Sequence, residues 1–344
     1  MADILFLHIT PEEWSTPLEI RTLRYFLAVA REENMTRAAE QLHVTQPTLS
    51  KQMKSLEREL GSTLFTRRSF SIALTEEGRL LRRRAEDLVA MADRITDEFL
   101  ELDDVLGGDL YLGLAESHQV RFLAREIKRL KEDCPGMRYH ITSGDTEQVT
   151  EKLDKGLLDF AALVEEPDTA RYEALNLPEA DRWGIVTRAD GELARKARVS
   201  VDDLEGLPLF CSEQSWAADL PRWAGARMAE LRLEGTFRLA YNGSVFAREG
   251  LGHLLTFARL VDTGEDSGLV FRPLWPVLES PMYLIWHRQQ VLSPIARRFL
   301  TQVSVALEED NREQIQVGGP ARIIIRGVER QELEFVGFHH HDSL

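Results

Sequence analysis

Gln46, Pro47, Thr48, Ser50 and Lys51, with Gln52 and Lys54 a turn further on, place amide, hydroxyl and ammonium groups along a short stretch of chain. Among them Leu49, Met53, Leu56 and Leu60 recur at steps of 4, 3 and 4, the period of one buried helix face. A helix so divided gives one face to a core and the other to a partner. The polar face suits duplex DNA, because glutamine bonds an adenine edge in two places, hydroxyls serve a base or a phosphate, and lysine neutralises phosphate. Thr45 stands where it caps this helix, and Pro47 is tolerated in a first turn. An ordinary three-helix bundle with polar solvent faces is the competing reading.

Two earlier elements are needed to hold that helix. From Leu18, the residues Leu23, Phe26, Leu27 and Ala30 fall at helical spacing, and Asn34 and Met35 are expected to end the segment. Thr36 is the expected cap of a second, two-turn helix whose inward residues are Ala38, Ala39 and Leu42, the small pair allowing a close helix crossing.

Charge points the same way. The 344 residues carry 42 Lys plus Arg against 57 Asp plus Glu, net −15, which taken alone argues against a general polyanion binder. The balance is uneven. Residues 18–84 hold 13 bases against 8 acids, while the rest holds 29 against 49, so a nucleic-acid surface is confined to the N-terminal part. Hydrophobic residues at 43% and charged ones at 29% describe a chain that folds, and its length asks for two or three domains. Cys134 and Cys211 lie far apart, form no CxxC pair, and support neither a disulfide framework nor a cysteine-rich zinc site. The opening residues have no basic leader, and no run of about 18 apolar residues occurs, so a cytosolic protein with no membrane span is expected.

The stretch LRYFLAVAREENMTRAAEQLHVTQPTLSKQMKSLERELGSTLFTRR, followed by LTEEG, resembles the N-terminal domain of LysR-type transcriptional regulators over about sixty residues. The resemblance implies a winged helix-turn-helix in which Gln46, Pro47, Thr48 and Ser50 meet the major groove; Thr45, Lys51 and Lys54, taken from the polar stretch itself, complete the expected DNA-binding set. It puts Thr36 and Arg37 at a backbone-contacting helix start, and Arg67 and Arg68 in the wing after Leu64 and Phe65. Paired arginines on a short loop suit phosphate or a narrow minor groove. It also makes residues 1–17 an extension, to which no role is assigned.

Thr75, Glu76 and Glu77 read as a cap with acids in the first helical turn. Leu81, Ala85, Leu88, Ala92, Ile95, Phe99 and Leu102 then alternate steps of 4 and 3, a coiled-coil seam on a rod of about 42 Å. A helix packed on its own chain is the alternative. In LysR-like regulators this is the linker helix that pairs two subunits, implying a homodimer, and in many cases a homotetramer, on double-stranded operator DNA with approximate dyad symmetry. Arg79, Arg82, Arg83 and Arg84 form a basic stripe near its start. Gly107 and Gly108 are expected to end the rod and act as a hinge.

Beyond the hinge, strand-like runs alternate with helical ones: Leu110 to Ala115, Met137 to Thr142, Leu158 to Val164, Trp183 to Thr187, Pro208 to Cys211 and Phe237 to Tyr241. A helix is expected from Trp216 to Leu231, and Met282 to His287 with a helix from Pro294 to about Leu307 looks like a return to the first lobe. This is an α/β pattern of parallel strands with crossover helices. Ligands of such sheets lie beyond the carboxyl ends of the strands. Ser117 with the adjacent His118, Ser143, Thr146, Ser212, Asn242 and Ser244 fall there, each also able to serve as a plain helix cap or packing residue. The motifs SGDTEQVTEKLDKGLLDFAALV and EGLGHLLTF resemble the effector-binding domain of the same family, a two-lobed, periplasmic-binding-protein-like fold. In that family the positions of Ser117, Ser143, Thr146 and Ser212 commonly line the inducer site.

The expected organisation is therefore a DNA-binding head over 18–75, a dimerising helix over 76–106, and an effector domain over 109–311. Its lobe I covers about 109–180 and 282–311, and its lobe II about 181–281. Residues 312–344 have no match in the family: RIIIRGVE and LEFVGF suggest two short strands. The function expected is transcription regulation in the bacterial cytoplasm by a small effector, with RNA polymerase as a further contact. No catalytic residues, cofactor or metal are expected: GxxxxGKS/T, HExxH and GxGxxG are absent, and His118 and His253 lack a second ligand at zinc spacing. The rivals are an enzyme or a solute-binding protein built on the two-lobed domain.

Overall fold

The computed structural model describes residues 18–67, 71–100 and 107–316, and the chain divides after Phe99 into two compact units. The first unit packs α1 (Ile20–Glu32), α2 (Met35–Gln41) and α3 (Gln46–Glu59) around Leu23, Phe26, Ala38, Ala39, Leu49 and Leu56, all fully or nearly fully buried. The two alanines are the small surfaces that let α2 cross its neighbours. The cap of α2 is Asn34, not Thr36: Asn34 is extended, and its Oδ1 accepts from the amides of Thr36 and Arg37. Thr36 therefore lies one residue inside the helix, and α1 closes at Glu33 in the left-handed region. Leu60, expected in the core, is 40% exposed because the helix ends there.

The wing is β1 (Phe65–Arg67) paired antiparallel with β2 (Ile72–Leu74). Glu57 Oε1 accepts from the amides of Leu64 and Phe65, at 2.8 and 3.3 Å, fixing the exit from α3. The Ile72 amide reaches Glu33 O at 2.8 Å. Thr75 caps α4 (Glu76–Leu100), accepting from the Gly78 amide at 2.9 Å. This helix of 25 residues is about 37 Å long. Its expected seam is divided: Ala85 is fully buried in the head core and Leu81 packs against it, whereas Leu88, Ile95 and Phe99 are exposed. Leu102 lies outside the described residues. Arg24 and Asp93 pair across α1 and α4.

The second unit runs β3 (Gly107–Leu114), α5 (Val120–Asp133), β4 (Gly136–Ser143), α6 (Thr146–Asp154), β5 (Phe160–Leu163) and β6 (Tyr172–Arg188). It continues through β7 (Pro208–Ser212), α7 (Glu213–Ala224), β8 (Arg232–Phe237), α8 (Ala240–Arg248), β9 (His253–Phe257), β10 (Leu269–Pro273), β11 (Glu279–His287) and α9 (Pro294–Gln316). Strand order is β4-β3-β5-β11-β6-β9-β7-β8, with β10 also on β6. One curled sheet thus serves two lobes, each with helices over it and its own core. Leu110, Leu112, Phe160, Leu284 and Phe299 centre the first core, and Ile185, Leu204, Leu209, Leu220 and Leu255 the second.

Several expectations change. The sheet is mixed and not parallel throughout, because β11 runs antiparallel to β5 and β6, and β9 and β10 antiparallel to β6. Gly107 and Gly108 begin β3, where they pair with Gly136 and Met137, and are not a free hinge. The run expected as a strand to Tyr241 ends at Phe237, and α8 starts at Ala240. The helix expected over 216–231 begins earlier, at Glu213, and gives way to a 3-10 helix at Gly225. The crossover is β6, which pairs with β11 from Tyr172 to Arg182 and with β9 and β10 from Trp183 onward. A buried chain of bonds holds this junction: Trp183 Nε1 donates to Ser280 Oγ at 2.9 Å, and Ser280 Oγ to Asp219 Oδ1 at 3.3 Å.

Candidate nucleic-acid interface and ligand cleft

With Leu49, Met53 and Leu56 buried, α3 turns its other side outward. Gln46, Pro47, Ser50, Lys51, Lys54 and Arg58 line an open groove of about 590 Å³ on the head. Gln46, Pro47, Thr48, Lys51 and Lys54 are exposed and Ser50 half-buried. Thr45 and Thr48 share a hydroxyl bond of 2.8 Å, and Thr45 Oγ1 also accepts from the Thr48 amide, so both side chains are held at the helix tip. Arg37 is held by the Glu32 carbonyl at 2.6 Å, beside exposed Thr36. Arg67 closes β1, opposite Ile72; Arg68 lies outside the described residues. Arg58 was missed by the sequence reading. It follows Lys51 and Lys54 at steps of 3 and 4, the spacing that marks one helix side.

In the second unit, a cavity of about 590 Å³ opens between the lobes, lined by Thr146 from one and by Ser212, Gln214, Phe237 and Arg238 from the other. A smaller space of about 80 Å³ adjoins it, with Glu116, Trp183 and Ala240 in its wall. Polar contacts bridge the lobes there. Gln214 Nε2 donates to Thr146 Oγ1 at 3.0 Å, the Thr146 amide reaches Gln214 Oε1 at 3.4 Å, and Glu116 Oε2 accepts from the Ala240 amide at 2.7 Å. Burial pushes the Glu116 carboxyl above the usual carboxylate range, against the Ala240 bond.

The expected cleft residues separate accordingly. Thr146 and Ser212 line the cavity. Ser212 also caps α7, accepting from the Ser215 amide at 3.1 Å, while the cap of α6 is Asp145 in a reciprocal box with Gln148. Ser117 does not line either space: its hydroxyl donates to Asp181 Oδ2 and accepts from the Gln119 amide. Asp181 is buried on β6, and burial raises its carboxyl, with Ser117, His118 and Gln119 opposing that shift. His118 thus belongs to this junction. Ser143 is exposed at the end of β4. Asn242 and Ser244 lie within α8, not at a strand end; Ser244 is buried and donates to Tyr241 O at 2.7 Å. His253 packs beside Thr187, Nδ1 to Oγ1 2.8 Å.

Glu116, Asp145, Gln214, Phe237 and Arg238 were not singled out in the sequence. Gln214 sits two residues after the Ser212 cap, so any first-turn polar side chain there was a signal. Among the described residues, no three His, Cys, Asp or Glu side chains gather to hold a metal, and no helix is long and apolar enough to cross a membrane.

Comparison with known proteins bears on both sites. The HTH-type transcriptional regulator YcgK of Bacillus subtilis (strain 168) is 32% identical over 303 residues, covering 82% of this chain and 93% of its own. A hydrogen peroxide-inducible genes activator of Pectobacterium carotovorum subsp. carotovorum is 29% identical over 197 residues, 57% of this chain and 65% of its own length, so the match spans less than two thirds of that relative. Full-length CbnR, solved in complex with its target DNA, superposes with a TM-score of 0.68 at 22% identity, covering 84% of this chain and 100% of that one, a likeness of fold. A model of the bacterial regulatory helix-turn-helix protein, lysR family, matches residues 20–79, and a model of the LysR substrate binding domain matches residues 103–307. The exposed α3 tip and the two-lobed sheet thus meet in one chain, and that chain belongs to the LysR family of DNA-binding transcriptional regulators.

Proposed function

We propose that this regulator binds operator DNA as a dimer and that a small molecule in the inter-lobe cavity controls its activity. The observation that carries the reading is the α3 tip: Gln46, Ser50, Lys51 and Lys54 share an open groove while the opposite helix face is fully buried. In this reading Gln46, Pro47, Thr48 and Ser50 meet base edges, and Thr36, Arg37, Thr45, Lys51, Lys54, Arg67 and Arg68 hold the backbone. The relatives are regulators, and the chain acts by binding and not by turnover. Its place of action is the bacterial cytoplasm, where operators are.

We read 18–75 as the head, 76–106 as the pairing helix and 109–311 as the effector domain. Leu88, Ile95 and Phe99 on α4 are 47%, 49% and 72% exposed, which supports a second copy as their cover. Two dimers then form a tetramer, with RNA polymerase as a further contact. Thr146 and Ser212 are the effector residues favoured by position. A ligand shifts lobe closure when it binds one arrangement better, since equal affinity shifts nothing.

Peroxide sensing, suggested by one relative's name, is disfavoured by the thiols. Cys134 and Cys211 are both fully buried, and burial followed by the nearby Asp219 pushes the Cys211 thiol well above its usual value, away from a reactive thiolate. Footprinting on DNA flanking the protein's own gene tests the main reading: protection of a dyad site over two or more helical turns is expected, and turnover of a substrate without DNA binding would favour the enzyme alternative.

A further inference from the structure

This inference rests on the proposal that the inter-lobe cavity holds the effector, and names the chemistry of that effector. We propose that the cavity takes a small organic cation carrying N–H donors, such as an amine or a guanidine.

Asp145, Glu147, Glu165 and Glu213 line the cavity against one base, Arg238, whose nearest carboxylate is Asp145 at 3.9 Å. Glu147, Glu165 and Glu213 enter no ion pair among the described residues. The helix starts that would receive an anion are already engaged, and Arg238, 72% exposed, is the one base at the wall. Asp145 and Gln148 close the start of α6, Ser212 closes α7, and Glu116, reaching from the other lobe, takes the first amide of α8. A carboxylate or phosphate entering here meets a wall of net charge −3 and no vacant helix start.

Acceptors are what remain on offer: three carboxylates free of ion pairs among the described residues, beside the Phe237 ring, which suits a cation by its quadrupole. Acids in the first turns of α6 and α7 also favour their own helix dipoles. Glu165 does not share that explanation, because it lies on the turn after β5. A metal ion is the other source of positive charge, but no three ligating side chains come together among the described residues. About 590 Å³ is room for an organic ligand of modest size.

Calorimetric titration of the full chain with 1,4-diaminobutane, agmatine, benzoate and Mg²⁺ at low salt tests this. One diamine or agmatine per chain is expected, with Kd about tenfold weaker in Glu165→Gln and in Glu213→Gln, each verified as folded by its circular-dichroism melt. Glu308→Gln, on α9, is expected to leave Kd unchanged. An equal loss in Glu308→Gln reports diffuse charge and overturns the proposal. Binding of benzoate or Mg²⁺ in place of the amines, or of none of the four, overturns it as well. The effector reading itself fails separately, when no small molecule of any charge class alters the operator footprint.

Discussion

Ser117 Oγ donates to the buried Asp181 carboxylate, a bond that joins the loop after β3 to the strand threading both lobes. The serine expected to meet ligand is committed to the junction between the lobes.

That commitment has a pH signature. Burial raises the carboxyls of Asp181, Glu116 and Asp219, so each folded-state pKa lies above its unfolded value. Protonation then favours the folded form, and the contribution is present below the ordinary carboxylate range and lost as pH rises through the raised values. Urea unfolding of the wild type and Asp181→Asn between pH 4 and 7 checks this. The stability difference, variant minus wild type, should grow in the variant's favour as pH rises; parallel curves would rule it out.

In the proposed interface, base reading and phosphate contact separate on α3. Gln46→Ala and Ser50→Ala should each lower operator discrimination by about 1–3 kcal/mol, whereas Lys54→Ala, Arg58→Ala and Arg67→Ala should weaken all sequences alike and reduce the salt slope by about one. Gel retardation on operator and random duplex across a salt series distinguishes them. Equal loss on both DNAs for Gln46→Ala would contradict its role.

At Gly78 the start of α4 lies tight against the head: a Cβ built there would lie 2.2 Å from the Leu64 carbonyl oxygen. Backbone cannot step aside as a flexible side chain does. Gly78→Ala should therefore destabilise the first unit by about 1–3 kcal/mol, seen as an earlier thermal transition, while a melt identical to wild type would mean the helix start relaxes freely.

The exposed part of α4 gives a third kind of test. Leu88→Asp with Ile95→Asp should shift the protein toward monomer in sedimentation experiments and shorten the protected DNA to one half-site. Persistence of the dimer at micromolar concentration would assign those residues elsewhere.

In the cleft, Thr146→Ala removes the hydroxyl that Gln214 donates to across the lobes. Basal operator retardation should persist and the effector-induced change diminish. A full response would remove Thr146 from the site.

The head was legible in the sequence because its signals are local: the Leu49, Met53, Leu56 repeat and the Ala38, Ala39 pair are read within a turn or two. The cap at Asn34 was not, since Thr36 is an equally good capping type and only backbone geometry at Asn34, extended rather than helical, chooses between them. The heptads were visible, but the pattern is silent on partners. Ala85 and Leu81 turn to their own chain and Phe99 does not, although all three obey the same spacing. In the two-lobed unit, hydroxyls after strands were found, yet Glu116 meeting Ala240 joins residues 124 positions apart, a separation that no periodicity encodes. The upstream half of β6 escaped notice because its alternation is interrupted by Pro178, Glu179 and Arg182.

Since Ala85 is sealed inside the winged unit while Phe99 stands clear of it, α4 cannot spin on its own axis without dragging the reading helix along. The rod is geared to the head like a shaft keyed to a wheel. In the proposed dimer, how far apart two heads stand on a duplex would be fixed by the register in which two such shafts mesh, so a slip of one heptad would change the length of DNA the pair recognises without altering a single side chain of the α3 tip.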